Sequence, residues 1–140
     1  MKKFLKTLTV AIVCLSCVIS LASCKGGIDT KNAKSFTEDF FSAIEAEDYE
    51  TAKTFLHPER PADLEPFFTS IEKDEGIDFQ QGIEIDRYVN FSYSYYDSTV
   101  DGSTSKPTIR TKVGNTTVTF TIEIVQNDNG YGIYNLDIDT

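Results

Sequence analysis

Side chains able to do chemistry are few in this chain and unevenly placed. Its three cysteines, Cys14, Cys17 and Cys24, all fall in the first 24 of 140 residues, and its one histidine is His57. Beyond Cys24 there is no thiol for a disulfide, a nucleophile or a thiolate ligand. A single histidine rules out a multi-histidine metal centre. His57 precedes Pro58 and follows a helical stretch, so it is expected to meet helix-terminal carbonyls. No glycine-rich phosphate loop or nucleophile elbow occurs. Asp97-Ser98-Thr99-Val100-Asp101-Gly102 has the alternating oxygens of a calcium-loop opening, but Thr108 stands where a bidentate Glu is required. The segment reads as a polar connection, and neither a metal nor a cofactor is expected. Glu45, Glu47, Asp48 and Glu50 form an acidic corner that reads as a solvated helix junction. More suggestive are the tyrosines, six of which (Tyr88, Tyr93, Tyr95, Tyr96, Tyr131 and Tyr134) fall in segments with a strand period. An aromatic body with a polar tip suits a half-buried sheet, and it also suits a pocket or a partner-binding face. Arg87 lies on the apolar parity of the same strand, and a guanidinium turned inward would need an anionic partner. Arg87, Tyr88, Tyr93 and Tyr95 are the candidate ligand-binding residues; no catalytic residue is assigned.

Met1 to Cys24 carries Lys2, Lys3 and Lys6, then an apolar run, then Leu21-Ala22-Ser23-Cys24. It resembles a bacterial lipoprotein signal peptide. The resemblance implies a lipid on the thiol of Cys24, cleavage just before it and a mature chain beginning at that cysteine. Local context separates the three cysteines, because only Cys24 has both the Leu three positions before it and two small residues between. The rival readings are an uncleaved anchor helix and an ordinary secretory signal. Residues 7–23 number 17 and include Thr7, Thr9, Ser16 and Ser20, which is short for a span of ~20 residues. The expected organisation is a signal peptide over 1–23, a lipidated cysteine and polar tether over 24–32, and one domain over 33–140. The expected location is extracytoplasmic, with the chain anchored by lipid to a membrane of the cell envelope.

Cleavage after residue 23 leaves 117 residues, about one ordinary domain. All 22 acidic residues lie beyond the cut, against ten of the 13 basic ones, which takes the net charge to −12. So acidic a surface repels phosphate backbones and gives no polybasic attraction to anionic lipid, so nucleic acid is excluded as a partner.

From Ala33 the apolar period is helical, with Phe36, Phe40, Phe41 and Ile44 forming the stripe. Asp48 is placed to cap a short second helix carrying Tyr49, Ala52, Phe55 and Leu56, which Pro58 stops. A third helix is expected between Pro61 and Glu75, starting as late as Glu65, with Gly76 ending it. Beyond Gly76 the period drops to two. Ile83, Ile85, Val89, Phe91, Tyr93 and Tyr95 share one parity, and the misfit of Arg87 and Tyr88 suggests a bulge over 86–88. Residues 97–107 read as a polar connection. Gly114-Asn115 reads as a two-residue hairpin that sets Ile109 opposite Phe120. A three-residue loop of Asp128, Asn129 and Gly130, with Gly130 left-handed, would set Ile124, Ile122 and Phe120 opposite Tyr134, Leu136 and Ile138. A one-residue slip would invert every side chain, so this register is preferred.

The fold class is therefore α+β, with N-terminal helices packed on a curved four-stranded antiparallel sheet. This order, with the helix start Glu47-Asp48-Tyr49-Glu50-Thr51-Ala52, resembles the nuclear-transport-factor-2-like superfamily. The family's more typical Trp in the last strand is replaced by Tyr131 or Tyr134. The resemblance implies a cone-shaped fold, shared with ketosteroid isomerases and polyketide cyclases, over about 33–140. Isomerase-type members imply an acid/base carboxylate and an oxyanion-holding Tyr or Asp, but no residue here aligns with those roles. The leading expectation is a lipid-anchored binding module for a small apolar ligand or an envelope protein. Its rivals are an isomerase- or cyclase-like enzyme using a cone cavity, and an inhibitor or accessory protein of an envelope enzyme.

Overall fold

The computed structural model describes residues 27–140; Cys24 and the signal-like stretch lie outside the described residues. Three α-helices, α1 (Thr30–Glu45), α2 (Tyr49–Lys53) and α3 (Leu64–Glu75), precede a 3₁₀ turn at Phe79–Gln81. Four strands follow, β1 (Ile83–Asp97), β2 (Gly102–Val113), β3 (Thr116–Asn127) and β4 (Gly130–Asp139). They form one antiparallel sheet in the order β1-β2-β3-β4. Among the described residues, no helix is long and apolar enough to cross a membrane.

The helical stripe of α1 buries Phe36, Phe40, Phe41 and Ile44. The helix opens at Thr30, three residues before the apolar period begins, because extended Asp29 already accepts the N–H of Ala33 at 2.9 Å. Ile28 packs on the core, so the last residues of the expected tether belong to the domain. Asp48 caps α2 as its side chain requires, accepting the Thr51 N–H at 3.0 Å and the Thr51 hydroxyl at 2.6 Å. α3 starts at Leu64, with Pro66 in its first turn, and ends at Gly76, whose N–H reaches the Glu72 carbonyl.

Rings from the helices fill the inner face of the sheet. Phe41 lies 4.7 Å from Phe120, and Phe68 bridges Phe40 at 6.4 Å and Phe79 at 5.2 Å. Ile109, Val118, Ile122 and Ile124 complete this layer, each fully buried. The Phe68–Phe79 pair is edge to face, a geometry that adds about 0.5–1.5 kcal/mol beyond the area it buries. At one end Gly27 rests against Tyr95, and at the other the Glu45 carboxylate accepts the Ile83 N–H at 2.5 Å. α1, which starts three residues after Gly27, therefore runs antiparallel to β1.

Ile109 pairs with Phe120 as the hairpin argument requires. Three other expectations are corrected. β2 begins at Gly102, so most of the stretch read as connection is strand, leaving a turn in which Asp97 accepts from the backbone and hydroxyl of Thr99. The β3–β4 loop has two residues, since Asn127 pairs with Gly130. Ile122 and Phe120 do face Leu136 and Ile138, but Ile124 faces Ile133 and not Tyr134. A bulge at Tyr134 supplies the residue that the shorter turn omits. Gly130 has φ +152°, outside the left-handed helical region expected of it. The third correction concerns β1, whose pairing shifts between Ile85 and Arg87, Tyr88 and Asn90, and Ser94 and Asp97. The suggested bulge over 86–88 is present, and two further irregularities change which side chains turn inward.

Candidate functional site: the tyrosine end of β1

Each bulge in β1 advances the inward position by an extra residue, so Ile85, Tyr88 and Phe91 pack on the core while Val89 is turned out. This splits the four candidate residues. Arg87 does not point into the concave side; it pairs in register with Arg110 on the outer face, 61% exposed, with Asp86 Oδ2 3.9 Å from its Nε. Tyr88 turns inward beside Phe91, its ring covered by Lys34 Nζ at 4.5 Å. Its hydroxyl is buried and has no hydrogen-bond partner among the described residues. Burial, with the Glu38 carboxylate adding to it, pushes the phenol up to about 12.

Tyr93 and Tyr95 are the pair that the structure brings together. Their rings meet edge to face at 5.6 Å, and they are 60% and 75% exposed, against the expectation that this parity would be buried. They lie beyond the part of the sheet that α1 covers, because Gly27 and the start of the helix stop at Tyr95. Tyr96 stands out beside them, and its hydroxyl donates to Asp101 at 2.7 Å. That bond, followed by the Asp101 charge, holds its phenol above the ordinary value. Three exposed tyrosines at one strand end make a surface with apolar bodies and polar tips.

Sequence reasoning missed a polar constellation at the far edge of the same sheet end. His57 is fully buried and bonds no helix-terminal carbonyl through its ring. Its Nδ1 accepts the Glu59 N–H at 3.1 Å, which leaves Nε2 to donate to Asn127 Oδ1 at 3.1 Å. Asn127 Nδ2 in turn donates to Glu59 Oε2 at 2.8 Å and to the Val100 carbonyl at 2.9 Å, and Asn129 donates to Glu59 Oε1. The Tyr134 ring lies against His57, with the Arg60 guanidinium 4.4 Å over it. Both nitrogens of the imidazole and both oxygens of the carboxylate are engaged, so this network ties loops together and presents no free acid or base. No local signal could have revealed it, since His57 and Asn127 are 70 residues apart in the chain.

A shallow depression of about 190 Å³ adjoins the network, lined by residues that include Glu59, Asp101 and Asn129. Another, of about 270 Å³, lies at the acidic corner beside Asp48, Tyr49 and Glu65. Among the described residues no group of three His, Cys, Asp or Glu is arranged to hold a metal ion. No family model matches the chain, and no curated protein or solved structure matches it either.

Proposed function

We propose that this chain is a lipid-anchored, extracytoplasmic binding or accessory module of the bacterial cell envelope. On this reading it acts through the exposed tyrosine end of β1 and not through an interior pocket. The observation that carries the surface reading is the meeting of the Tyr93 and Tyr95 rings in the open, with exposed Tyr96 next in the strand, while phenylalanines fill the inner face of the sheet. The anchor rests on Leu21-Ala22-Ser23-Cys24 following a lysine-flanked apolar run. A cone-like arrangement of the nuclear-transport-factor-2 type is the proposed family shape, supported by three helices packed on a four-stranded antiparallel sheet. An isomerase-like site would need a carboxylate and a phenol facing one another in an apolar cavity. The partnerless Tyr88 hydroxyl sits instead against packed side chains.

The anchor is tested in a bacterial host by labelling with a radioactive fatty acid. The full chain should take up label and enter the detergent phase, and Cys24→Ala should abolish both. Unchanged partition of Cys24→Ala would overturn the anchor.

A further inference from the structure

We infer that the tyrosine end of β1 seats the domain on the bilayer that holds its own lipid, with Tyr93 and Tyr95 in the headgroup interface. The inference rests on acylation of Cys24 as proposed above.

Its structural basis is where the chain enters the domain. Gly27, at φ +74°, lies so close to Tyr95 that a Cβ added to it would stand 3.1 Å from Tyr95 Cδ1. Gly27 is three residue steps from Cys24, and at ~3.3–3.6 Å each these reach no more than about 11 Å. The polar layer on each side of the hydrocarbon is roughly 5–7 Å deep, so a lipid on Cys24 keeps Tyr95 within about two such layers of the hydrocarbon, close enough to reach the interface whatever path those residues take. Tyrosine is among the side chains that favour this depth, where the ring leaves water and the hydroxyl keeps it. Tyr95, 75% exposed, and Tyr93, 60% exposed, are open to be covered, and among the described residues no hydrogen bond holds their hydroxyls.

Two alternatives fit the same surface less well. A partner strand adding to the open edge of β1 would need a regular ladder, but pairing is interrupted at three places along it. Electrostatic docking on anionic lipid is opposed by 22 acidic against ten basic residues from Cys24 onward. The seating is aromatic, so it should persist at high salt and on zwitterionic lipid.

The chain has no tryptophan, so a single introduced one reports its own depth. Tyr95→Trp, Tyr93→Trp and Asn115→Trp are made in the full acylated chain and reconstituted in phosphatidylcholine vesicles, with and without brominated acyl chains. Asn115 is exposed in the β2–β3 turn, at the opposite end of the sheet and roughly 35 Å away at ~3.3 Å per strand residue. The two tyrosine positions should be blue-shifted and quenched by brominated lipid severalfold more than Asn115→Trp, with little change at high salt. Quenching no greater than at Asn115, in protein whose mass shows the acyl group on Cys24, would overturn the seating and leave the anchor standing. A blue shift without brominated-lipid quenching would mean coverage by a second copy or another protein, and would overturn it equally. Absence of the acyl mass would overturn the anchor, and the seating with it. Both tyrosines are mostly exposed, so neither substitution removes core packing, and matching far-ultraviolet dichroism checks the fold.

Discussion

At Tyr88 and Tyr131 the phenol is withdrawn from water, and burial pushes each up to about 12, with the Glu38 charge contributing at Tyr88. Desolvation disfavours the phenolate, so the folded state holds these protons more tightly than the unfolded chain does. The stability this represents is fully present below the unfolded value of about 10 and is lost as pH rises from there through about 12. In a spectrophotometric titration these two phenols should ionise last, close to the onset of alkaline unfolding. Tyr88→Phe and Tyr131→Phe should each remove about one phenol from that late phase; ionisation of all seven tyrosines together would refute the burial argument. The same scale marks the limit of the sequence. Tyr88 and Tyr93 carry the same side chain five positions apart, yet one is packed and the other open. The irregularity between Tyr88 and Asn90 sets both on the same face, opposite Ile109 and Ser105, so what separates them is cover: Tyr88 packs beside Phe91 under Lys34, and Tyr93 is left open.

Elements defined by a local period were legible, and those defined by an irregularity were not. The stripe of α1, the Asp48 cap of α2, the Gly76 end of α3 and the Ile109–Phe120 register all follow from residues within a few turns or one hairpin. At β3–β4 a two-residue turn plus a bulge at Tyr134 gives the same distal pairing as a plain three-residue loop, so the apolar pattern of Phe120, Ile122, Leu136 and Ile138 fits both. The choice between them is made from outside the hairpin, by the segment following α2. His57 N–H donates to the Ile133 carbonyl at 2.8 Å and Ile133 N–H to the Phe55 carbonyl at 2.7 Å, which docks this segment beside β4. Gly132 makes the approach possible, because a Cβ there would lie 2.5 Å from the His57 nitrogen and 2.6 Å from the Leu56 carbonyl carbon. Those are backbone atoms and cannot turn aside. Gly132→Ala should therefore cost about 1–3 kcal/mol, the usual scale of overpacking, read as a lower urea midpoint. Faster amide exchange at His57 and Ile133 should accompany it; an unchanged midpoint would mean that the segment is not held this way.

On the scale of the whole molecule acidic residues lie at both ends of the sheet, with Asp97 and Asp101 beside the tyrosines. α1 runs from the tyrosine end, where Gly27 meets Tyr95, to the end where Glu45 holds Ile83, and the acidic residues Glu47, Asp48 and Glu50 follow directly. A chain seated by its tyrosines carries this acidic corner away from the headgroups but brings Asp97 and Asp101 toward them, which is why zwitterionic lipid is the expected support. Within the domain, little offsets the repulsion. Among the described residues, the Lys and Arg ion pairs within 4 Å are Lys53 with Glu50 and Asp63, and Arg87 with Asp86, all at exposed or partly exposed side chains. Pairs of that kind contribute about 0–1 kcal/mol each, so screening them loses little. Repulsion among the remaining carboxylates acts over the same distances and is screened as well, with the opposite sign. The balance predicts that raising sodium chloride from low to physiological ionic strength raises the urea midpoint of unfolding. Glu47→Gln should raise the midpoint at low salt and reduce the gain from added salt, because it removes one of the charges being screened. A midpoint that falls with salt would show that the few ion pairs outweigh the acidic excess.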